Sequence, residues 1–289
     1  MDPITIRRSV LVALYSDPEL QKRLVLKGGN AIELIHGIVA RGSIDLDFAI
    51  SGDFEDLAEI EGRLRDALVA HFRVHEIVVF DYKFDVVPPP FAQDPTPWWG
   101  GYRVTFKLME QDRATVLDQD IAAKQREAIP IDSRQGRTFR VDISKHEYCD
   151  QPTQKLVGGV RVYAYTEEML ALEKLRAICQ QMPEYKPTPG RLTPARRARD
   201  FFDIHSVVTA RALDLMLPEN LTLCRRIFAA KEVPLDLLSR VAESKEFHRV
   251  DWESVVAAVP GRPRPFEFYF DYTVELAGAI ARALGTAKS

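Results

Sequence analysis

Cysteine is scarce in this chain, and Cys149, Cys179 and Cys224 are too widely spaced and odd in number for a disulfide framework or a thiolate zinc site. A reducing environment is therefore expected. Long apolar runs are missing as well, since no stretch approaches the ~20 residues that cross a bilayer. The opening Met1-Asp2-Pro3 shows no basic patch followed by an apolar segment. The expected setting is cytoplasmic, with no membrane partner. Neither a Walker-type loop, a dinucleotide fingerprint nor a nucleophile elbow occurs, which removes three common nucleotide and acyl-transfer chemistries. Histidine offers little. His71 and His75 stand four apart without a third ligand in view, and His205 reads as packing.

Nor does one sign of charge dominate: the formal net charge is −3, which gives no global attraction to nucleic acid. A local field is present all the same. Between Lys174 and Arg199 the chain carries Lys174, Arg176, Lys186, Arg191, Arg196, Arg197 and Arg199 against Glu184 alone. Such a stretch is either a solvated face or a phosphate-binding one. With 289 residues, 46% of them hydrophobic, the chain can bury a substantial core, and disorder is excluded.

Along the chain, Ile4 to Leu14 and Asp17 to Leu24 read as helices. The apolar Leu24-Val25-Leu26 then ends at Lys27-Gly28-Gly29, and the spacing of Ala31, Ile32, Leu34, Ile35 and Ile38 predicts another helix. Arg41 to Ile50 reads as a strand, because Ile44, Leu46 and Phe48 alternate with Asp45, Asp47 and Ala49. A helix from about Phe54 to Phe72 and a strand or hairpin from Val74 to Val87 follow. Proline density from Pro88 to Pro97 forbids regular structure there; Trp98 and Trp99 either stack on a ligand or cover a core edge. Tyr102 to Leu108 and Arg137 to Ser144 are strand candidates, and Gly158-Gly159 suits a hairpin turn. From Thr166 onward the pattern is helical, interrupted from Pro183 to Pro194. The expected organisation is a mixed α/β (α+β) half, residues 1–160, and a helical half, residues 161–289, that contributes to the same site.

Side chains two apart on a strand share a face, so Asp45 and Asp47 project together. Their mutual repulsion is relieved by a cation, and a hard divalent ion prefers such oxygen ligands. A solvated pair of acids is the plain alternative, but the apolar residues on the other face place this strand in a core. Gly28-Gly29, between an apolar run and a helix, can present backbone amides to phosphate, or can be an ordinary tight turn. Arg41 and Ser43 fall on the same strand face as the acids and would add a guanidinium fork and a hydroxyl. Asp142, within Phe139-Arg140-Val141-Asp142-Ile143, is the candidate third carboxylate, with Asp85 its rival. Lys174 has Leu170, Ala171, Ala177 and Ile178 as its helical neighbours, so it rises from a packed face and needs an anion or a snorkelling path. Arg199 and Asp203 lie one turn apart, as a local ion pair would. Asp200 or Asp203 could instead orient Lys174 or the acceptor.

These residues resemble the nucleotidyltransferase toxins of the AbiEii/AbiGii type. The resemblance lies in Leu26-Lys27-Gly28-Gly29-Asn30-Ala31, Arg41-Gly42-Ser43-Ile44-Asp45-Leu46-Asp47-Phe48, Glu173-Lys174-Leu175-Arg176-Ala177 and Arg199-Asp200-Phe201-Phe202-Asp203-Ile204. It implies a polymerase-β-like nucleotidyltransferase core with a mixed sheet, followed by a helical region. It also implies nucleoside triphosphate as substrate, Mg2+ as cofactor, and a toxin role opposed by a cognate antitoxin. Some members of the family modify the acceptor end of tRNA, so tRNA or another RNA is the expected acceptor. The resemblance makes Asp45 and Asp47 the metal-binding pair, Ser43 the hydroxyl before it and Lys174 the downstream lysine. Asp142, read from its strand, joins them as the expected third metal ligand, and Asp45, Asp47, Asp142 and Lys174 are the expected catalytic residues. Lys27, Gly28, Gly29, Asn30, Arg41, Ser43, Lys174, Asp200 and Asp203 would then line the nucleotide. The segment Pro183 to Pro194 and the tail beyond about Met216 match no motif of the family. Two other readings keep the same residues: a small-molecule nucleotidyltransferase, and a non-catalytic nucleotide-binding regulator.

Overall fold

The computed structural model describes residues 1–38, 44–89, 99–131, 135–185 and 194–286. Arg41 and Ser43 lie outside them, as do Trp98, Lys186 and Arg191. Helices start where short polar side chains can hold the free amides of a first turn. Asp2 accepts from Ile4 and Thr5 at the head of α1 (Pro3–Ser16), and Asp17 accepts from Glu19 and Leu20 at the head of α2 (Pro18–Arg23). Each has proline in its first turn, where the missing N–H costs nothing. The chain then forms β1 (Val25–Lys27), one helical turn α3 (Gly28–Asn30) that continues as a π-helix over Ala31–Ile35, and β2 (Leu46–Ala49). Asp45 sits in a bend just before β2, so the strand is shorter than its alternation predicts.

Next come α4 (Leu57–Val74), β3 (Ile77–Val87) and β4 (Gly101–Glu110). Two short helices that the sequence reading did not anticipate, α5 (Gln111–Leu117) and α6 (Ile121–Glu127), separate β4 from β5 (Phe139–Ser144). The hairpin of β6 (Thr153–Val157) and β7 (Val160–Ala164) turns at Gly158-Gly159, as expected. Together the strands make one mixed sheet, ordered β3-β4-β5-β2-β1-β7-β6, with β2/β5 and β1/β7 parallel and the other pairs antiparallel.

One face of the sheet is apolar and covered. Tyr15 of α1 packs on Phe48 of β2, and Phe72 of α4 packs on Phe106 of β4, which meets Phe139 of β5. Ile60, Leu64, Leu68 and Phe72 recur every four residues and give α4 its buried stripe. Taking each such large side chain out of water contributes roughly 1.5–3 kcal/mol. Strand alternation therefore forces Asp47, Arg140 and Asp142 onto the opposite face.

After Ala164 every described element is helical: α7 (Glu167–Cys179), α8 (Ala198–Arg211), α9 (Pro218–Ala229), a 3-10 helix over Leu235–Ser244, α10 (Lys245–Arg249), α11 (Trp252–Val256) and α12 (Phe266–Ala283). The join between sheet and helices is tight. Leu26 pairs with Ala164, Tyr165 N–H donates to the Leu26 carbonyl, and Thr166 caps α7 by accepting from Met169. Ten of the thirteen residues of α7 are buried, among them Lys174 and Arg176, so this helix runs through the interior. No helix among the described residues is long and apolar enough to cross a membrane.

Candidate active site

Strand register assembles a row of charge across the open face of the sheet. Asp85 of β3 is opposite Arg103 of β4, Arg103 opposite Asp142 of β5, Asp142 opposite Asp47 of β2, and Asp47 opposite Lys27 of β1. Asp47 and Asp142 are thus next-door neighbours. Asp85 is exposed on the edge strand, three strand spacings from Asp47, or about 14 Å at the usual separation. Of the two rival third carboxylates, the fold puts Asp142 with the pair and Asp85 apart from it.

Asp45, in the bend before β2, joins from the next row. The Arg140 guanidinium bridges it to Asp142: Nη2 lies 2.6 Å from Asp45 Oδ2, and Nε lies 3.0 Å from Asp142 Oδ2. Arg103 Nε donates to the other oxygen of Asp142 at 2.8 Å. Burial raises the Asp45 pKa, and Asp142 adds to the effect against Arg140 and Arg103. Asp47 differs. No hydrogen bond or ion pair reaches its carboxylate among the described residues. Burial, with Asp142 and Asp45 acting the same way, pushes its pKa up to about 6, although Lys27 and Lys174 pull it down.

Gly28 explains how that carboxylate fits. Its φ is +71°, and a Cβ there would stand 2.6 Å from Asp47 Oδ2. The glycine is needed because the acid occupies the space above it, a different reason from the phosphate approach anticipated in the sequence. Gly29 is buried behind it. Asn30 is fully buried, with its amide donating to the Asp45 carbonyl at 2.7 Å and accepting from Arg7 at 2.7 Å. It braces the bend that carries Asp45, and it is not exposed toward a nucleotide.

A cleft of about 360 Å3 opens beside the row, a size that suits a small ligand. Its charged lining comprises Lys27, Arg103, Arg176, Arg197 and Lys231 against Asp47, Asp142, Glu147 and Glu173, and Trp99 borders it. A larger hollow of about 540 Å3 lies by Gln21, Asp53 and Cys149, but it touches none of Asp45, Asp47 and Asp142. Chemistry therefore selects the smaller one.

The back of the cleft is a buried ionic cluster. Lys27 Nζ is 3.0 Å from Glu147 and 3.6 Å from Glu173, while Arg176 reaches Glu173 at 2.9 Å and Lys231 reaches Glu147 at 3.5 Å. Burial opposes the charge on Lys27, yet Glu147 and Glu173 outweigh it and raise its pKa. Burial would also raise Glu147, but Lys27, Arg176 and Lys231 hold it down at about 2. Lys231 is lowered to about 8 by burial, with Lys27 and Arg176 adding to the effect.

Lys174 lies behind this cluster, 4% exposed, with Nζ 3.0 Å from Asp200 and 2.8 Å from Asp203 of α8. The one-turn pair of Arg199 with Asp203 gives way to this interior bridge. Lys174 is also close enough to Asp47 to act on its pKa. The basic stretch of the sequence is not one surface either. Lys174 and Arg176 are interior, Arg197 reaches the cleft, and Arg196 and Arg199 are exposed. Sequence reasoning did not single out Arg103, Arg140, Glu147 or Lys231. The alternation of Arg140 with Asp142 was a usable signal; Glu147 and Lys231 gave none.

What these groups can do follows from their types. Adjacent carboxylates attract a hard cation, and clustered buried cations receive polyphosphate. As they stand, no three His, Cys, Asp or Glu side chains among the described residues are arranged to close on a metal ion. Two of the acids are closed on arginines instead.

Comparison with known proteins adds the family. Three solved structures resemble the chain: a candidate nucleotidyltransferase from H. pylori (20% identity, 99% of this chain and 96% of that one, TM-score 0.47), JHP933 from Helicobacter pylori (19%, 97% and 91%, 0.48), and an antigenic nucleotidyltransferase-like protein from Paracoccidioides brasiliensis (14%, 87% and 92%, 0.36). No curated protein matches. The sequence model of the AbiEii toxin nucleotidyl transferases of type IV toxin–antitoxin systems matches residues 9–272, nearly the whole chain including every acid and cation of the cleft. The chain belongs to the AbiEii family of nucleotidyltransferase toxins.

Proposed function

We propose that the chain moves a nucleoside monophosphate from a nucleoside triphosphate to an acceptor hydroxyl on RNA, with the 3′ end of tRNA as the foremost acceptor, in a Mg2+-dependent reaction. The observation that carries this reading is the Asp47 carboxylate. It is partnerless among the described residues, beside Asp142 and Asp45, and at the mouth of a cation-lined cleft. A carboxylate in that setting suits a bound counter-ion, and the chemistry of the donors suits a divalent cation. When bound, that ion would polarise the reacting phosphate and lower the pKa of the attacking hydroxyl.

The residues of the chain do the rest. Asp45, Asp47 and Asp142 would hold the cation. Lys27, Arg176, Arg197 and Lys231 form the bed for the triphosphate and leave pyrophosphate bound when the α-phosphorus is attacked. Lys174, fixed by Asp200 and Asp203, sets the potential beneath Asp47. The exposed Arg196 and Arg199 suit an RNA backbone outside the cleft. In the cell this activity would be that of a toxin opposed by a cognate antitoxin.

The test is to incubate the protein with each α-labelled nucleoside triphosphate, Mg2+ and total tRNA. Label should appear in the tRNA and vanish with EDTA or with Asp47→Asn. No transfer to any RNA with any of the four nucleotides would sink the reading. Transfer should also fall steeply between low and moderate salt if the acceptor is held by its phosphates.

A further inference from the structure

The arrangement of Arg140 has a consequence for how cation and nucleotide bind. Its guanidinium lies on Asp45 Oδ2 at 2.6 Å and Asp142 Oδ2 at 3.0 Å, so one positive group spans the two acids that flank Asp47. A divalent cation held by Asp45 and Asp142 needs oxygens that Arg140 already holds. The two cannot share them fully, because like charges would then sit within a few ångströms in a half-buried site. Arg140 is also imperfectly seated. Its Nε–H is buried, and although Asp142 is near, no acceptor satisfies it among the described residues. The side chain is 40% exposed and shares a sheet face with Asp142, which lines the cleft. Guanidinium groups accept phosphate as readily as carboxylate, and bidentately.

We propose that Arg140 is an exchangeable counter-ion: it holds Asp45 and Asp142 together before the cation arrives, then passes to the triphosphate, so that cation and nucleotide bind cooperatively. Arg103 stays on Asp142 Oδ1 throughout and keeps that carboxylate in place. The inference rests on the cation-and-triphosphate reading given above. It adds a positioning residue that the sequence motifs do not contain. Binding of the cation alone must break two ion contacts, whereas binding with nucleotide gives the released guanidinium a new anion. By linkage, each ligand then tightens the other by the same factor.

The experiment measures Mn2+ affinity of the full chain by electron paramagnetic resonance, with and without a non-hydrolysable nucleoside triphosphate, for wild type, Arg140→Gln and Arg140→Lys. Without nucleotide, Arg140→Gln should bind Mn2+ about tenfold tighter than wild type, because the competing guanidinium is gone. Nucleotide should tighten Mn2+ binding in wild type and do so much less in Arg140→Gln. Arg140→Lys keeps the charge but cannot span both acids, and should fall between them, which also guards against a trivial loss of fold. Equal Mn2+ affinity in all three proteins, or weaker binding in Arg140→Gln, overturns this inference while leaving the cation site standing. No Mn2+ binding by any of them, with or without nucleotide, overturns the cation reading and this inference together.

Discussion

At the scale of single residues, the site is defined by a carboxylate kept in an unfavourable place. The folded-state pKa of Asp47, about 6, lies above its ordinary value of 3.8, so the charged form costs stability at neutral pH. That cost is complete above about pH 6 and shrinks as pH falls, disappearing only below 3.8, where the group is protonated whether folded or not. Asp47→Asn should therefore melt at a higher temperature than wild type at pH 7 to 8, and the gap should narrow steadily below pH 6 and close by about pH 3; a constant gap would point to another cause. The same substitution should abolish transfer, separating stability from activity. Gly28→Ala meets Asp47 Oδ2 at 2.6 Å and a positive φ. It is expected to cost about 1–3 kcal/mol, read from denaturant midpoints, and to lower transfer by at least tenfold. Gly28 and the Asp45–Asp47 alternation were legible in the sequence because each is a local pattern. Arg103 was not, because what aligns it with Asp142 is cross-strand register, which no single segment encodes; Arg140 shares β5 with Asp142, and that alternation was a signal left unused. Lys231 was further out of reach: only the packed fold brings it to Glu147.

At the scale of elements, α7 and α8 are bolted together by charge inside an apolar setting. Lys174 is 4% exposed, Asp200 5% and Asp203 1%. Removing the lysine leaves two buried carboxylates facing each other, so Lys174→Met should destabilise the protein by about 3–5 kcal/mol. Adding Asp203→Asn to Lys174→Met should recover part of that loss in urea unfolding, yet transfer should stay lost in both. Full recovery of transfer would show that the bridge is structural only. The helical reading of this region succeeded because Thr166 and the apolar spacing that follows are strong local signals. The two short helices between β4 and β5 went unread because neither presents a sustained apolar stripe; Ala114 and Ala123 are their only buried residues. Asp45 was read as part of a strand because alternation persists through a bend, although hydrogen bonding stops at Leu46.

At the scale of the whole molecule, the sheet and the helices that follow it share one cleft. The strands supply Lys27, Asp47, Arg103 and Asp142, while the helical region supplies Glu173, Arg176, Arg197 and Lys231. We propose that the expected halves, 1–160 and 161–289, have no separate function, with β7 (Val160–Ala164) carrying the sheet across that boundary. A fragment ending after β7, residues 1–164, should then show no measurable nucleotide binding by equilibrium dialysis, and adding the helical half in trans should restore it if both remain folded. Binding by the isolated first half would refute this division of labour. The order of the family motifs along the chain was enough to foresee a mixed sheet followed by helices. The apolar neighbours of Lys174 already marked one packed face of α7; that the helix would be buried on nearly every side, Arg176 included, was not foreseeable from them. The late position of Lys231 also bears on synthesis. A nascent chain emerging from the ribosome carries all three carboxylates long before the last lysine of the pocket is made. The cleft is therefore complete only after synthesis has passed Lys231, well after its acids and strand-borne cations are in place.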